Sequence, residues 1–189
     1  MDETDKHIIR MLEKDGRISY EKMGKELGMT GVAVKKRVKR LMDGKTVSIC
    51  SQLNTRALGY YLNMVLLEVD NEAHMGCITS VFERCPRVIS MFKGLGRYNL
   101  IALTLAEDRA TLESELMGSC SLRSKEGIRR SEVIQLEDAL PTPFLSVRSR
   151  LATREGEEAP CGVLCGACYR YKEGRCLGCP ATRFYRGDL

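Results

Sequence analysis

The first part of the chain repeats its apolar residues at helical spacing. Ile8, Ile9, Met11 and Leu12 make one stripe, predicting a helix that starts at Asp5 or a neighbour and ends near Asp15-Gly16. Ser19 is placed to cap a second helix; Lys22 stands where a Glu or Gln would complete a capping box, and Met23 and Leu27 lie four apart. Gly28-Met29 breaks that helix and Thr30 can cap a third. Along it Val34, Val38 and Leu41 fall at i, i+4 and i+7, one apolar face. A short helix, a glycine-containing turn and a second helix form the helix-turn-helix order, here predicted over residues 1–51 as a winged-helix-like domain.

From Ala57 to Ala139 the pattern changes. Tyr60–Val69, Val88–Lys93, Asn99–Ala106 and Ile128–Leu136 read as strands; Asn71–Arg84 and Asp108–Met117 read as helices, and Gly94-Leu95-Gly96 as a turn. The order βαββαβ predicts a ferredoxin-like α+β domain over residues 57–139, with two helices on one face of an antiparallel sheet. The other face would show apolar side chains, so self-association into a homodimer or larger homo-oligomer is expected. Periodicity then lapses over residues 140–160. The segment reads as a linker, with one short helix around Leu145 to Leu151.

Charge sharpens the picture of the third helix. Lys35, Lys36, Arg37, Lys39, Arg40 and Lys45 crowd one stretch against the single acid Asp43, although the whole chain carries only +5. With the valines turned inward, the lysines occupy an outer face that attracts a phosphate backbone. Double-stranded DNA is the expected partner, because a chain with no Trp and few aromatics is poorly supplied for stacking on unpaired bases. Thr30, Gly31, Val32, Lys35 and Lys36 are the expected groove-facing set, and Lys36, Arg37, Lys39 and Arg40 the expected phosphate contacts. No Arg, Asn or Gln stands at the start of the helix. Sequence preference would therefore lean on DNA shape and half-site spacing.

Nine cysteines without a signal-peptide core at the N-terminus imply a reducing, cytoplasmic setting, and no apolar run is long enough to enter a membrane. Five of them, Cys161, Cys165, Cys168, Cys176 and Cys179, follow C-x3-C-x2-C-x7-C-x2-C in residues 161–189. Two C-x2-C pairs beside glycines are the spacing of a metal-thiolate site. Zinc needs only Cys165, Cys168, Cys176 and Cys179, leaving Cys161 spare; a [4Fe-4S] cluster is the alternative, with Cys179-Pro180 resembling the end of a ferredoxin motif. Cys77 is expected to pack inside its helix. Cys85 sits at a helix end, and no other Cys or His lies near Cys50 or Cys120 in the sequence.

The segment DETDKHIIRMLEKDGRISYEKMGKELGMTGVAVKKRVKRL, followed by the βαββαβ pattern, resembles the leucine-responsive (Lrp/AsnC, feast/famine) family of transcription regulators, over about residues 1–139. The resemblance implies a DNA-binding dimer or larger assembly with a small-molecule effector near the turn between the middle strands, here Gly94, Gly96, Arg97 and Asn99. That family usually places acids at the positions of Arg97 and Asn99, where a ligand's ammonium pairs; a cation and an amide cannot do this. Gly44 comes one position earlier than the glycine that usually ends the helix-turn-helix unit. Two other readings compete: a tetrapyrrole decarboxylase of the same architecture, which would want gathered histidine and arginine where the sheet domain offers only His74, and an adaptor docking through its metal module.

Overall fold

The computed structural model describes residues 1–189, which divide into two compact units, Met1–Ser51 and Gln52–Leu189.

In the first unit, helix α1 (Glu3–Lys14) starts from a full capping box. Asp2 accepts from the Asp5 amide at 2.8 Å and the Asp5 carboxylate accepts from the Asp2 amide at 3.1 Å, so orphan N–H groups of the first turn are satisfied. Ser19 caps α2 (Tyr20–Leu27), and Gly28 ends it in the left-handed conformation at φ 66°. Thr30 caps α3 (Gly31–Asp43), accepting from the Ala33 amide at 3.2 Å. Ile8, Met11, Met23, Val34 and Val38 close over one another as a small core. The α2–α3 turn is tight: a Cβ on Gly24 would lie 2.5 Å from the Met29 carbonyl oxygen. No strand follows α3 before Leu53, so the predicted wing is absent and the unit is a plain three-helix arrangement.

The second unit comprises β1 (Leu53–Asn54), β2 (Tyr61–Val69), α4 (Glu72–Phe82), β3 (Val88–Lys93), β4 (Leu100–Ala106), α5 (Arg109–Met117), β5 (Ile128–Leu136), β6 (Phe144–Leu145) and the short α6 (Tyr169–Lys172). Its main sheet runs β3-β4-β2-β5, antiparallel throughout, which is the predicted ferredoxin-like topology. Asn71 and Asp108 cap the two helices. Val65, Leu67, Val69, Leu100 and Ala102 from the sheet meet Met75, Ile78 and Phe82 of α4. The opposite face carries Met64 opposite Ile134, Leu66, Leu103, and Phe92 opposite Ile101. Phe92 and Ile134 there are 57% and 44% exposed.

Two expectations about the C-terminal part are corrected. Residues 140–160 are not a loose linker: β6 pairs with β1, Leu145 and Val147 cover Leu62, Ile89 and Leu105, and the only helical turn there is Ser149–Leu151. The Arg148 guanidinium fixes this strap by donating to the carbonyls of Phe82, Glu83, Cys85 and Val88, at and beyond the end of α4. Carbonyls at the end of α4 lack i+4 amide donors, so an arginine from a distant loop can cap them; those of Phe82 and Cys85 also accept from the Cys85 and Val88 amides. Nor is the cysteine-rich tail a separate module. It folds onto α5 within the same unit. Ser114 donates to the Arg175 carbonyl at 2.7 Å, Thr111 accepts from the Leu177 amide at 3.1 Å, and Tyr185 donates to Glu107.

Candidate DNA-binding face and thiol-lined cavity

Helix α3 divides its side chains cleanly. Val34, Val38 and Leu41 are buried. Val32, Lys35, Lys36 and Lys39 stand at i, i+3, i+4 and i+7 on the opposite side and are all exposed; Val32 is 67% exposed. Thr30, at the head of the helix, is also exposed, with its hydroxyl engaged as the cap. Gly31 has a packing duty, since a Cβ there would sit 3.2 Å from the Glu21 backbone nitrogen.

The two arginines behave differently from the lysines. Arg37 pairs with Asp2 at 2.7 Å and Asp5 at 2.8 Å, and Arg40 pairs with Asp5 at 2.7 Å. Asp5 is 1% exposed. Burial works against its ionisation, but the Asp2 amide and the two guanidinia overcome it and hold the carboxyl below the usual carboxylate range. Arg37 and Arg40 therefore tie α3 to the start of α1. As placed, they are engaged by Asp2 and Asp5, although the Arg40 side chain stays 62% exposed, whereas Lys35, Lys36 and Lys39 form no such pairs.

The turn between β3 and β4 is built as expected, but its polar groups are partly committed. The Gly94 amide donates to the Asn99 carbonyl at 3.0 Å, and Gly96 takes φ 130°. The Asn99 side chain is used up in bridging strands: it accepts from the Val69 amide at 2.8 Å and donates to the Val69 carbonyl at 2.7 Å. That leaves Gly94, Gly96 and Arg97 exposed at the turn, with Arg97 lying over the Tyr98 ring.

The tail presents an arrangement that spacing alone did not reveal. All five tail cysteines line one cavity of about 80 Å³, and Cys85 and Cys120 from the sheet domain line it with them. Burial raises the thiols of Cys161, Cys165 and Cys176, and pushes Cys85 up to about 11 and Cys179 up to about 12. The sulphur atoms are held as hydrogen-bond acceptors. Gly178 N–H donates to Cys176 Sγ at 3.4 Å, and the amides of Val163, Cys179 and Ala181 serve Cys161, Cys165 and Cys179. Yet no three His, Cys, Asp or Glu side chains converge closely enough to hold a single ion. Beside the thiols lies a buried charge cluster: Arg87 donates to Glu107 at 2.8 Å and lies 3.0 Å from Glu115. Burial raises Glu115 to about 8 despite the pull of Arg87.

Treating Cys85 and Cys120 as bland residues missed this cavity, because a thiol is read from sequence as one more small apolar side chain. Cys77 is exposed rather than packed inside its helix. His74 is engaged with Asp70 at 2.7 Å, which raises its pKa, and lies outside the cavity.

Comparison with known proteins bears on the helix-turn-helix unit and the sheet domain. The family model of the AsnC-type helix-turn-helix domain matches residues 1–42. The chain is 23% identical over 137 residues to the HTH-type transcriptional regulator FL11 of Pyrococcus furiosus, spanning 72% of this chain and 91% of that protein. It is similar in structure to the leucine response regulatory protein of Mycobacterium tuberculosis, with TM-score 0.66, 19% identity, and coverage of 78% of this chain and 99% of the other. A transcriptional regulator from Neisseria meningitidis solved in complex with L-Met gives TM-score 0.66 at 16% identity, covering 78% and 95%. The fold is thus that of the Lrp/AsnC regulators: a helix-turn-helix unit followed by a ferredoxin-like sheet domain.

Proposed function

We infer that this chain, a helix-turn-helix protein of the Lrp/AsnC type, is a DNA-binding transcription regulator and not an enzyme. Its relatives are transcriptional regulators. The observation that carries the reading is the outer face of α3, where Val32, Lys35, Lys36 and Lys39 stand exposed on a helix fixed by buried Val34, Val38 and Leu41. Such a face fits a major groove: lysines reach phosphates or base acceptors, and Val32 can meet a thymine methyl. A decarboxylase site finds no support, because the only histidine of the sheet domain is engaged by Asp70.

The outer sheet face supports self-association. Met64, Leu66, Ile101, Leu103 and the exposed Phe92 and Ile134 form an apolar surface that a second copy would cover. A dimer would also set the spacing of two half-sites on DNA. Any effector at the β3–β4 turn would meet the cation of Arg97 rather than a carboxylate, which selects against a free ammonium group. Cys161–Cys179 are read as a metal-thiolate site in the tail, placing the metal on the sheet domain of a cytoplasmic regulator. No helix is long and apolar enough to cross a membrane.

The test is selection of bound sequences from a random duplex pool by the full chain, followed by footprinting of the winners. Protection of paired half-sites is the expected result. Equal retention of all duplexes would refute sequence-specific regulation. Sedimentation of wild type against Ile134→Asp checks the sheet face, the variant being expected to shift to smaller species.

A further inference from the structure

We propose that the cavity between the tail and the sheet domain holds a polynuclear iron–sulfur cluster, with Cys161 among its ligands, rather than a single zinc ion. The inference rests on the reading of the tail as a metal-thiolate site and names what occupies it. Three observations carry it.

The first is the distribution of the thiols. A tetrahedral zinc with Zn–S bonds of about 2.3 Å draws its four sulphurs to within about 4 Å of one another. Here the thiols stand around the wall of a cavity, and no three ligating groups converge on a point. A cubane cluster has that requirement reversed. Its iron and inorganic sulfide fill the centre, and the protein supplies thiolates at separated corners.

The second is Arg170. It is 5% exposed, lines the cavity, and spends its Nε on Ser114 at 2.8 Å. Its Nη2 is buried with no hydrogen-bond partner. A buried guanidinium nitrogen left this way is costly, and an anionic acceptor in the cavity would satisfy it. A cluster bound by four thiolates is anionic and presents sulphur acceptors on its faces.

The third concerns Cys161, which the zinc reading leaves spare. Lys125 from the sheet domain holds its carbonyl at 3.1 Å, the Val163 amide serves its sulphur, and the side chain packs against the main core. A cluster so held would join the tail to the sheet domain, since Cys85 and Cys120 close the cavity from the sheet side.

The experiment is purification of the full chain without oxygen, with iron, acid-labile sulfide and zinc determined per chain and a visible spectrum recorded. It is repeated after reconstitution with a mixture of ferric and ferrous iron and sulfide, and separately with zinc alone. About four iron and four sulfide per chain, with charge-transfer absorption in the visible, is expected. One zinc per chain that iron and sulfide do not displace would overturn the cluster, as would failure to take up either metal. Cys161→Ser is expected to lose the iron and the colour, whereas Cys77→Ser, an exposed cysteine outside the cavity, keeps both. Full retention of iron and sulfide in Cys161→Ser would remove it from the ligand set and overturn its assignment. Because Cys161→Ser could also misfold, Arg170→Lys provides a second variant, expected to fold and to lose its cluster faster to a chelator. DNA binding is read separately by duplex retention, so loss of the cluster assignment leaves the regulator reading standing or falling on its own.

Discussion

The division of labour on α3 gives a quantitative prediction. Lys35, Lys36 and Lys39 form no ion pair within the chain, whereas Arg37 and Arg40 are held by Asp2 and Asp5. If these three lysines of each protomer are the groups that displace counterions, a dimer of the proposed kind would make about six phosphate contacts on duplex DNA. The logarithm of affinity should then fall against the logarithm of salt with a slope of about −5, a loss of roughly a thousandfold between 50 and 200 mM salt. Lys36→Ala removes one contact per protomer and should flatten the slope by about 2. Arg37→Gln should leave the slope nearly unchanged while lowering the melting temperature, because it leaves buried Asp5 with one guanidinium partner instead of two. Asp5→Asn works the other way. It releases Arg40 alone, since Asp2 still holds Arg37 at 2.7 Å, and should steepen the slope toward about −7. The assay is fluorescence anisotropy of a labelled duplex at several salt concentrations, on full-length variants checked for folding. If Arg37→Gln flattens the slope as much as Lys36→Ala, the arginines exchange Asp5 for phosphate on binding, and the assignment of α3 contacts made from their pairing is wrong.

Three further outcomes follow from the sheet domain. Arg148→Ala should cost about 2–3 kcal/mol in denaturant unfolding, because the four carbonyls it serves lose a charged donor; Arg148→Lys, lacking the planar fork, should not restore it. Glu115 binds its proton more tightly when folded, so its contribution to stability is complete below about 4.5 and is lost as pH rises toward about 8. Glu115→Gln cannot titrate, and thermal melts across that range should show wild type losing stability relative to the variant as pH rises; parallel curves would place the Glu115 pKa near its ordinary value. Asn63 is fully buried on the helix side of β2 with both amide atoms unpartnered. Asn63→Val should therefore stabilise the domain by about 1–2 kcal/mol, and a loss of stability would reveal a partner for that amide.

What the sequence made legible follows from where the determinants lie along the chain. Ser19 and Thr30 cap the helices expected of them because a cap is a contact between residues three apart. Val88–Lys93 and Ile128–Leu136 have the predicted limits because flanking turns and β-rich composition mark them locally. The failures are contacts that carry no period. Arg37 and Arg40 find Asp5 across 32 and 35 residues, and nothing near α3 announces it. Residues 140–160 look unstructured because Pro141 and Pro143 interrupt any pattern, yet one arginine bonding to carbonyls some 60 residues away fixes them. Five of the cysteines lining the cavity were legible from spacing. The other two were not, since Cys85 and Cys120 reach it only through the fold.

Helix α5 shows how far the tail is written into the sheet domain. A helix that only covered a sheet would bury an apolar stripe. This one buries Thr111 and Ser114 as fully as Leu112. Both hydroxyls face backbone groups of the tail, with Ser114 donating to the Arg175 carbonyl and Thr111 accepting from the Leu177 amide. The residue just before the helix cap repeats the pattern, since Glu107 takes the Tyr185 hydroxyl while holding Arg87. A polar stripe of this kind is favourable only while the backbone it serves is in place, because a buried hydroxyl without a partner costs more than the hydrogen bond contributes. Conversely, the tail has only the short helix α6, one three-residue turn and one isolated bridge as its own regular structure, and the Arg175 carbonyl and Leu177 amide find their partners on α5. Each part thus completes polar groups the other leaves open. A group held at the proposed thiol site would therefore act on the sheet domain directly, through α5.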